Sequence, residues 1–359
     1  MKSLALKREP DSGRFLTALR GGEPDVVPFI ELKHDPEIFE QLLEGPLVTP
    51  NTPSNRVVEV EWRNRIRCLA ALGYDHVRAA CDLPLVRKTR PGVDTALYSR
   101  GARQWQPEGD GPIQTWEDLE RYPWPRPEDI DYTVLESAAS NLADGMTITA
   151  STHGGVLEWA LWLMGYVPFS YALYDDPGLV AEVIRRVGEL LLAAAEAMAS
   201  EESVGALFIG DDMGHKHGTL VSAAFLREHI LPWHKRLSAA AHARGKPYVL
   251  HSCGNLTEIM DDLIDNVGID AKHSFEDAIL PVQEAKRRWG SRCAMCGGVD
   301  VDKLTRLPEE DLRCYVRNIL ENCAPGGGYL LGSGNSVTNY IPVSNFLAML
   351  DEGIRFCGG

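Results

Sequence analysis

The chain has 359 residues, 44% hydrophobic and 24% charged, which is ample for one large domain or two ordinary ones without a disulfide scaffold. A formal net charge of −15, with no basic stripe interleaved with aromatics, argues against nucleic acid and anionic lipid and leaves a small molecule or a protein as partner. No run reaches the roughly 18 apolar residues of a membrane span, Met1 to Pro10 turns charged early, and the eight cysteines are scattered. A soluble, cytoplasmic protein with reduced thiols is expected.

Short apolar runs alternate with amphipathic stretches along the chain, the pattern of successive β-α units. The first run, Val27 to Lys33, ends among Glu31, Lys33, His34 and Asp35, and helical patterns follow at Pro36 to Leu43 and Val57 to Leu72. The second, His76 to Cys81, precedes a Gly- and Pro-rich region with Trp105, Trp116 and Trp124. That region reads as an insertion over 88–126, which after a strand's carboxyl end would sit near a barrel mouth as a lid or an oligomer contact. The third run is Met146 to Ser151, followed by helices at Val156 to Leu163 and Pro177 to Ala199. In the latter, Leu179, Val183, Ile184, Val187, Leu190 and Leu191 make one core-facing stripe.

The fourth run, Ala206 to Asp211, is followed by Asp212, His215, His217 and a helical stretch from Ser222 to Ala243. The fifth is Tyr248 to Cys253, with a helix at Thr257 to Asn266. The sixth, Asp270 to Phe275, brings Lys272, His273, Glu276 and Asp277, then a helix at Pro281 to Trp289. The seventh, Cys293 to Gly297, continues into Gly298 and Asp300, with a helix at Pro308 to Asn322. The eighth, Gly328 to Gly332, leads to Ser333, Asn335 and Ser336, and Val343 to Cys357 closes the pattern. Eight strand-helix units spell an α/β fold, a (β/α)8 TIM barrel, as a single domain over 1–359 with the long insertion after its second strand.

In such a barrel the chemistry sits at the carboxyl ends of the strands, where this chain places many titratable groups. His251 and Cys253 stand two apart, so on a continuing strand both face one side, and an imidazole with a thiolate suits zinc. A buried cysteine beside a backbone-bonded histidine is the plain alternative. Asp211 and Asp212 serve equally well as helix caps or as site residues. His215 and His217 lie on a Gly-flanked loop and read as surface histidines. No Gly-x-Ser-x-Gly elbow is present, so a metal or acid-base mechanism fits better than acyl transfer.

Gly210-Asp211-Asp212-Met213-Gly214, Leu231-Pro232-Trp233-His234-Lys235, Gly245-Lys246-Pro247 leading to His251-Ser252-Cys253-Gly254-Asn255, and Gly297-Gly298-Val299-Asp300 together resemble the uroporphyrinogen decarboxylase superfamily. The resemblance covers nearly the whole chain and implies a (β/α)8 barrel and a homodimer. No Arg-rich motif of the decarboxylases follows Val27 to Glu31, so the corrinoid-linked methyltransferase branch is the nearer one. Members of that branch hold zinc with His-x-Cys and a later Cys. His251 and Cys253 match the first two, and Ser333 stands in the place of the third. The resemblance then implies Glu276 as the remaining ligand, with His273 and Cys296 as further candidates. The expected activity is methyl transfer between a corrinoid, presented by a partner protein, and a thiol or folate acceptor. Asp212, His273 and Glu276 would be catalytic, and Glu31, His34, Asp211, Ser333 and Asn335 would bind the small-molecule substrate. A metal-independent decarboxylase or lyase using Asp212, His251 and His273 is the alternative, and a binding barrel without turnover is a third reading.

Overall fold

The structure, a computed structural model, describes residues 8–105, 107 and 109–357. The charged start weighed above as a targeting segment lies outside them through Lys7, as do residues 106 and 108 of the insertion. Seven parallel strands form one curled sheet in chain order: His76–Cys81, Thr147–Thr152, Val204–Gly210, Tyr248–His251, Ala271–His273, Ala294–Cys296 and Tyr329–Leu330. Alternation along each strand divides the side chains between two cores. Phe208, Val249, Ala271, Ala294, Cys296 and Leu330 meet inside with Ile30, whereas Leu207, Ile209, Leu250, Met295 and Tyr329 pack outward among the helices. The fold is the expected TIM-barrel type.

The first unit departs from expectation. Val27 to Lys33 is not a regular strand. It meets the last strand region through isolated parallel bridges, Phe29 with Leu331 and His34 with Val337. Between the bridges the Ser333 amide donates to the Glu31 carboxylate at 2.8 Å. Pro28, which has no N–H, weakens the ladder from the start. The approach is close enough that a Cβ on Gly332 would stand 1.8 Å from the Ile30 carbonyl. Among the described residues no backbone ladder joins this run to His76–Cys81, and the barrel wall has a seam there.

Helices Pro36–Leu43, Val57–Ala71, Val156–Met164, Pro177–Ser200, Glu309–Cys323 and Val343–Cys357 lie where their periodicity places them. The stretch Ser222 to Ala243 is not one helix. Pro232 offers no N–H, and the Leu231 amide reaches back five residues to Leu226, inserting a π turn before Leu231–His242. Thr257 to Asn266 likewise yields a π turn, Asp262–Val267.

Ser12–Leu19, too short and too charged at its flanks to stand out in the sequence, is a helix that plugs the barrel. Phe15, Ala18 and Leu19 are fully buried against the inward strand residues. Arg8 and Arg14 fasten this end to the buried Asp75 at 2.8 and 2.9 Å. Phe15→Ala is expected to cost about 3–5 kcal/mol of stability, because the rigid strands around it cannot collapse into the void. Urea denaturation checks this, and an unchanged midpoint would mean that the helix is no part of the barrel core.

In the insertion, a hairpin of Arg90–Val93 and Ala102–Trp105 is fastened over the carboxyl ends of the first and last units. Arg103 pairs with Asp35, the Asn339 amide donates to Asp94 at 2.8 Å, and the Tyr98 amide bonds the Asn339 carbonyl at 2.9 Å. No helix among the described residues is long and apolar enough to cross a membrane, and the seven described cysteines are free.

Candidate metal centre at the barrel mouth

His251 and His273 end adjacent strands and are paired in register, so their inward side chains lie at one height. Their Nδ1 atoms are 2.8 Å apart, which requires one to donate and the other to accept. Burial lowers the pKa of both, His273 the further. His273 Nε2 lies beside the Ser333 carbonyl, since a Cβ on Gly297 would touch both. Gly297, at φ +79°, leaves the room they need. A metal bound at His251 Nε2 would require the proton of the pair on His251 Nδ1, donated to His273 Nδ1, and would use the Nε2 lone pair.

That lone pair faces two other ligand types. Cys253 Sγ is 3.5 Å from His251 Nε2, and Asp212 Oδ1 is also 3.5 Å from it. The ligand atoms of Asp212, His251 and Cys253 lie within 4.8 Å of one another, the only such group of His, Cys, Asp and Glu among the described residues. A nitrogen, a sulfur and an oxygen at this spacing fit zinc with its fourth position open. The strand ends at His251, so Cys253 does not reach the site by strand alternation as the sequence suggested. The loop carries it there, its amide donating to Asp212 Oδ1 at 2.8 Å. The Asn335 amide donates to the sulfur at 3.2 Å, and Ser274 Oγ lies 3.7 Å away. Burial and the neighbouring Asp212 push the Cys253 thiol up, whereas Asp212 is held below the usual carboxylate range because His251 and the Cys253 amide outweigh its own desolvation. Without a cation the sulfur keeps its proton; with one, the three groups become a matched set.

Several expected site residues are placed elsewhere. Glu276, expected as catalytic and as the third ligand, is outside the group and lines a separate small hollow with Lys272, Phe275 and Trp289. Asp212 stands in the three-residue group instead. His273, expected as catalytic, is fully buried and meets the His251 ring through Nδ1. Asp211, expected to bind substrate, is also fully buried: it accepts from the Leu157 amide at 3.1 Å, the Glu158 amide at 2.9 Å and His234 Nε2 at 2.8 Å. Tyr248 OH bonds the other nitrogen of His234 at 2.8 Å. The capping alternative therefore describes Asp211. Asn335 reaches Cys253, and His34 lines a cavity at the seam.

Ser333, in the place of a thiolate, is turned away from the centre. Its hydroxyl and amide both bond the buried Glu31 carboxyl. Burial pushes that carboxyl up to about 8, against the pull of the two bonds. Its ordinary value is 4.5, so as pH rises from there the folded state keeps a proton that the unfolded chain loses. Stability should fall between pH 4.5 and 8 and flatten above. Glu31→Gln, which keeps both bonds, should flatten the profile throughout. Urea midpoints at pH 5 and pH 9 check this, and parallel slopes for the two proteins would assign the pH dependence elsewhere.

Two residues were missed in the sequence. Lys272 was noted only as polar, yet its ammonium is buried and donates to the carbonyls of Ser252 and Ser274, tying together the loops after two strands. Arg78 sits on the inward face of His76–Cys81 and donates to Ser151 Oγ at 2.5 Å. A charge at an inward register in a strand is the signal that could have found it.

The fold and this mouth define a (β/α)8-barrel protein with a three-residue site suited to a metal ion. The chain belongs to the uroporphyrinogen decarboxylase family: residues 11–355 match the family described as Uroporphyrinogen decarboxylase (URO-D). It is 25% identical to a uroporphyrinogen decarboxylase of Alkalilimnicola ehrlichii over 260 residues, 68% of this chain and 68% of that protein. It is 28% identical to a methylated-thiol–coenzyme M methyltransferase of Methanosarcina mazei over 144 residues, 40% of this chain and 35% of that protein. A solved methyltransferase structure from Methanosarcina mazei aligns over 96% of this chain and 98% of its own, with a TM-score of 0.72 at 18% identity, a likeness of fold.

Proposed function

We propose that this protein is a zinc-dependent methyltransferase that moves a methyl group between a corrinoid carried by a partner protein and a thiol or folate acceptor. The observation that carries the reading is the convergence of Asp212, His251 and Cys253 at the open end of the barrel. The similarity to a methyltransferase of Methanosarcina mazei supports it. When bound, zinc would lower the pKa of an acceptor thiol and hold it as a nucleophile. The chain's own residues prepare that position. His273 Nδ1, 2.8 Å from His251 Nδ1, can accept its proton, which leaves Nε2 to coordinate. The Asn335 amide tempers the charge gathered on the Cys253 sulfur, and Lys272 pins the loops on either side of it. Asp212, with its side chain 39% exposed, is the carboxylate open to the mouth and takes the acceptor's proton when it is not a ligand.

The experiment is incubation of the zinc-loaded protein with methylcobalamin and candidate thiols, following cob(I)alamin absorbance. Formation of cob(I)alamin by wild type and not by His251→Ala or Cys253→Ala is expected. No cob(I)alamin with any thiol or folate acceptor would remove the proposal. A second reading, a metal-independent decarboxylase or lyase, is favoured by one observation: Ser333 is committed to Glu31 and supplies no third thiolate. It requires activity that survives chelation.

A further inference from the structure

At the seam between Val27 to Lys33 and His76–Cys81 lies a cavity of about 330 Å³. That volume falls within the range of about 300–1,000 Å³ that small-molecule sites occupy. Phe39 and Trp62 give it aromatic walls, and His34, Tyr74 and Arg78 line it as well. Four atoms of the lining residues have no hydrogen-bond partner among the described residues: His34 Nε2, Tyr74 Oη, His76 Nε2 and Arg78 Nε. Buried polar atoms are nearly always paired, and four orphans around one hollow describe a site that a ligand completes.

Arg78 is the charged one of the four. Its bond to Ser151 Oγ is with a neutral group, its guanidinium carbon lies 5.4 Å from the centre of the Phe208 ring, and among the described residues it makes no ion pair with a carboxylate within 4.0 Å. Arg65, on the same lining, is already engaged by Glu61 at 2.6 and 2.9 Å and stacked on Phe39 and Trp62. Burial lowers Arg78 to about 10, against the pull of Glu158. The Phe208 ring beside it lies 5.5 Å from the His273 ring in turn, so one side chain separates Arg78 from the histidine pair.

We propose that the seam cavity is the binding site for the small-molecule substrate, and that this substrate is a small aromatic carboxylate. Its carboxylate pairs with Arg78, and its ring lies against the apolar and aromatic side chains of the lining. The proposal deepens the methyl-transfer reading and rests on it for the molecule's being a substrate; the binding itself is separable from the metal.

The test is equilibrium binding of 4-fluorobenzoate to the full chain, followed by fluorine NMR, with neutral 4-fluorobenzamide as the comparison. Saturable binding of the acid is expected, weakened about tenfold or more in Arg78→Gln, with the amide's affinity changed less than about twofold. Val58→Trp, at the half-open rim of the cavity, should block both molecules while the protein keeps its fold and its zinc. Acid binding that persists in Cys253→Ala supports the cavity whatever becomes of methyl transfer. Acid binding that vanishes with Cys253 assigns the molecule to the metal centre and overturns the proposal. Wild-type affinity in both Arg78→Gln and Val58→Trp overturns it too, as does the absence of saturable binding to wild type.

Discussion

Cys253→Ala should purify with at least about tenfold less zinc than wild type, because it removes the one soft ligand of a three-residue site and leaves an imidazole and a carboxylate. The same geometry sets the pH behaviour of the intact site. With its thiol pushed up by burial and by Asp212, Cys253 must give up a proton as the ion enters. Zinc uptake by wild type should therefore release a proton, and its affinity should rise with pH. The variant should lack the Cys253 share of that release. Element analysis gives the metal content, and a pH indicator in weak buffer gives the proton. Ser333→Ala, which alters a hydroxyl already committed to Glu31, should keep its zinc. Equal zinc in wild type and Cys253→Ala would remove the metal centre from this account.

Asp211→Ala should destabilise the protein by about 3–5 kcal/mol, a magnitude typical of breaking a fully buried charged network. The carboxylate holds the first turn of Val156–Met164 through two backbone amides and locks His234, whose other nitrogen is held by Tyr248. Its loss strands three donors on two separate helices at once. The adjacent Asp212 is the natural contrast. Asp212→Ala should lose metal with little change in stability, because its carboxylate is partly exposed. Urea unfolding of the two variants checks the pair. If Asp211→Ala unfolds within about 1 kcal/mol of wild type, the network is not what holds these elements together.

Most of the barrel was legible because its strands are buried on both faces and read as apolar runs with clear breaks between them. Seven of the eight runs are strands close to their expected bounds, and the one that is not contains Pro28 and is held by isolated bridges and the Glu31 side chain. The plug helix escaped because eight residues between charged flanks carry too little periodic signal. That His251 and Cys253 come together was legible from the sequence. The third member of the group was not, since spacing along the sequence cannot say which of several acidic strand ends faces inward. Asp212 was counted among catalytic groups and Glu276 chosen as ligand, whereas the loop after Tyr248–His251 folds its amide onto Asp212. Asp211 and Asp212 look alike in sequence, yet adjacent residues at a strand end point opposite ways: one is buried in the frame and the other opens to the mouth.

The clasp between Glu31 and Ser333 joins residues 302 positions apart. During synthesis the plug helix and the first acidic group emerge early, but their counterpart arrives only when nearly all of the chain described here has been made. The same final stretch brings Asn335 to the Cys253 sulfur. Until then the nascent barrel exposes an unclosed edge beside an unprotected thiol, a stage at which cellular folding helpers and metal supply would both have most influence.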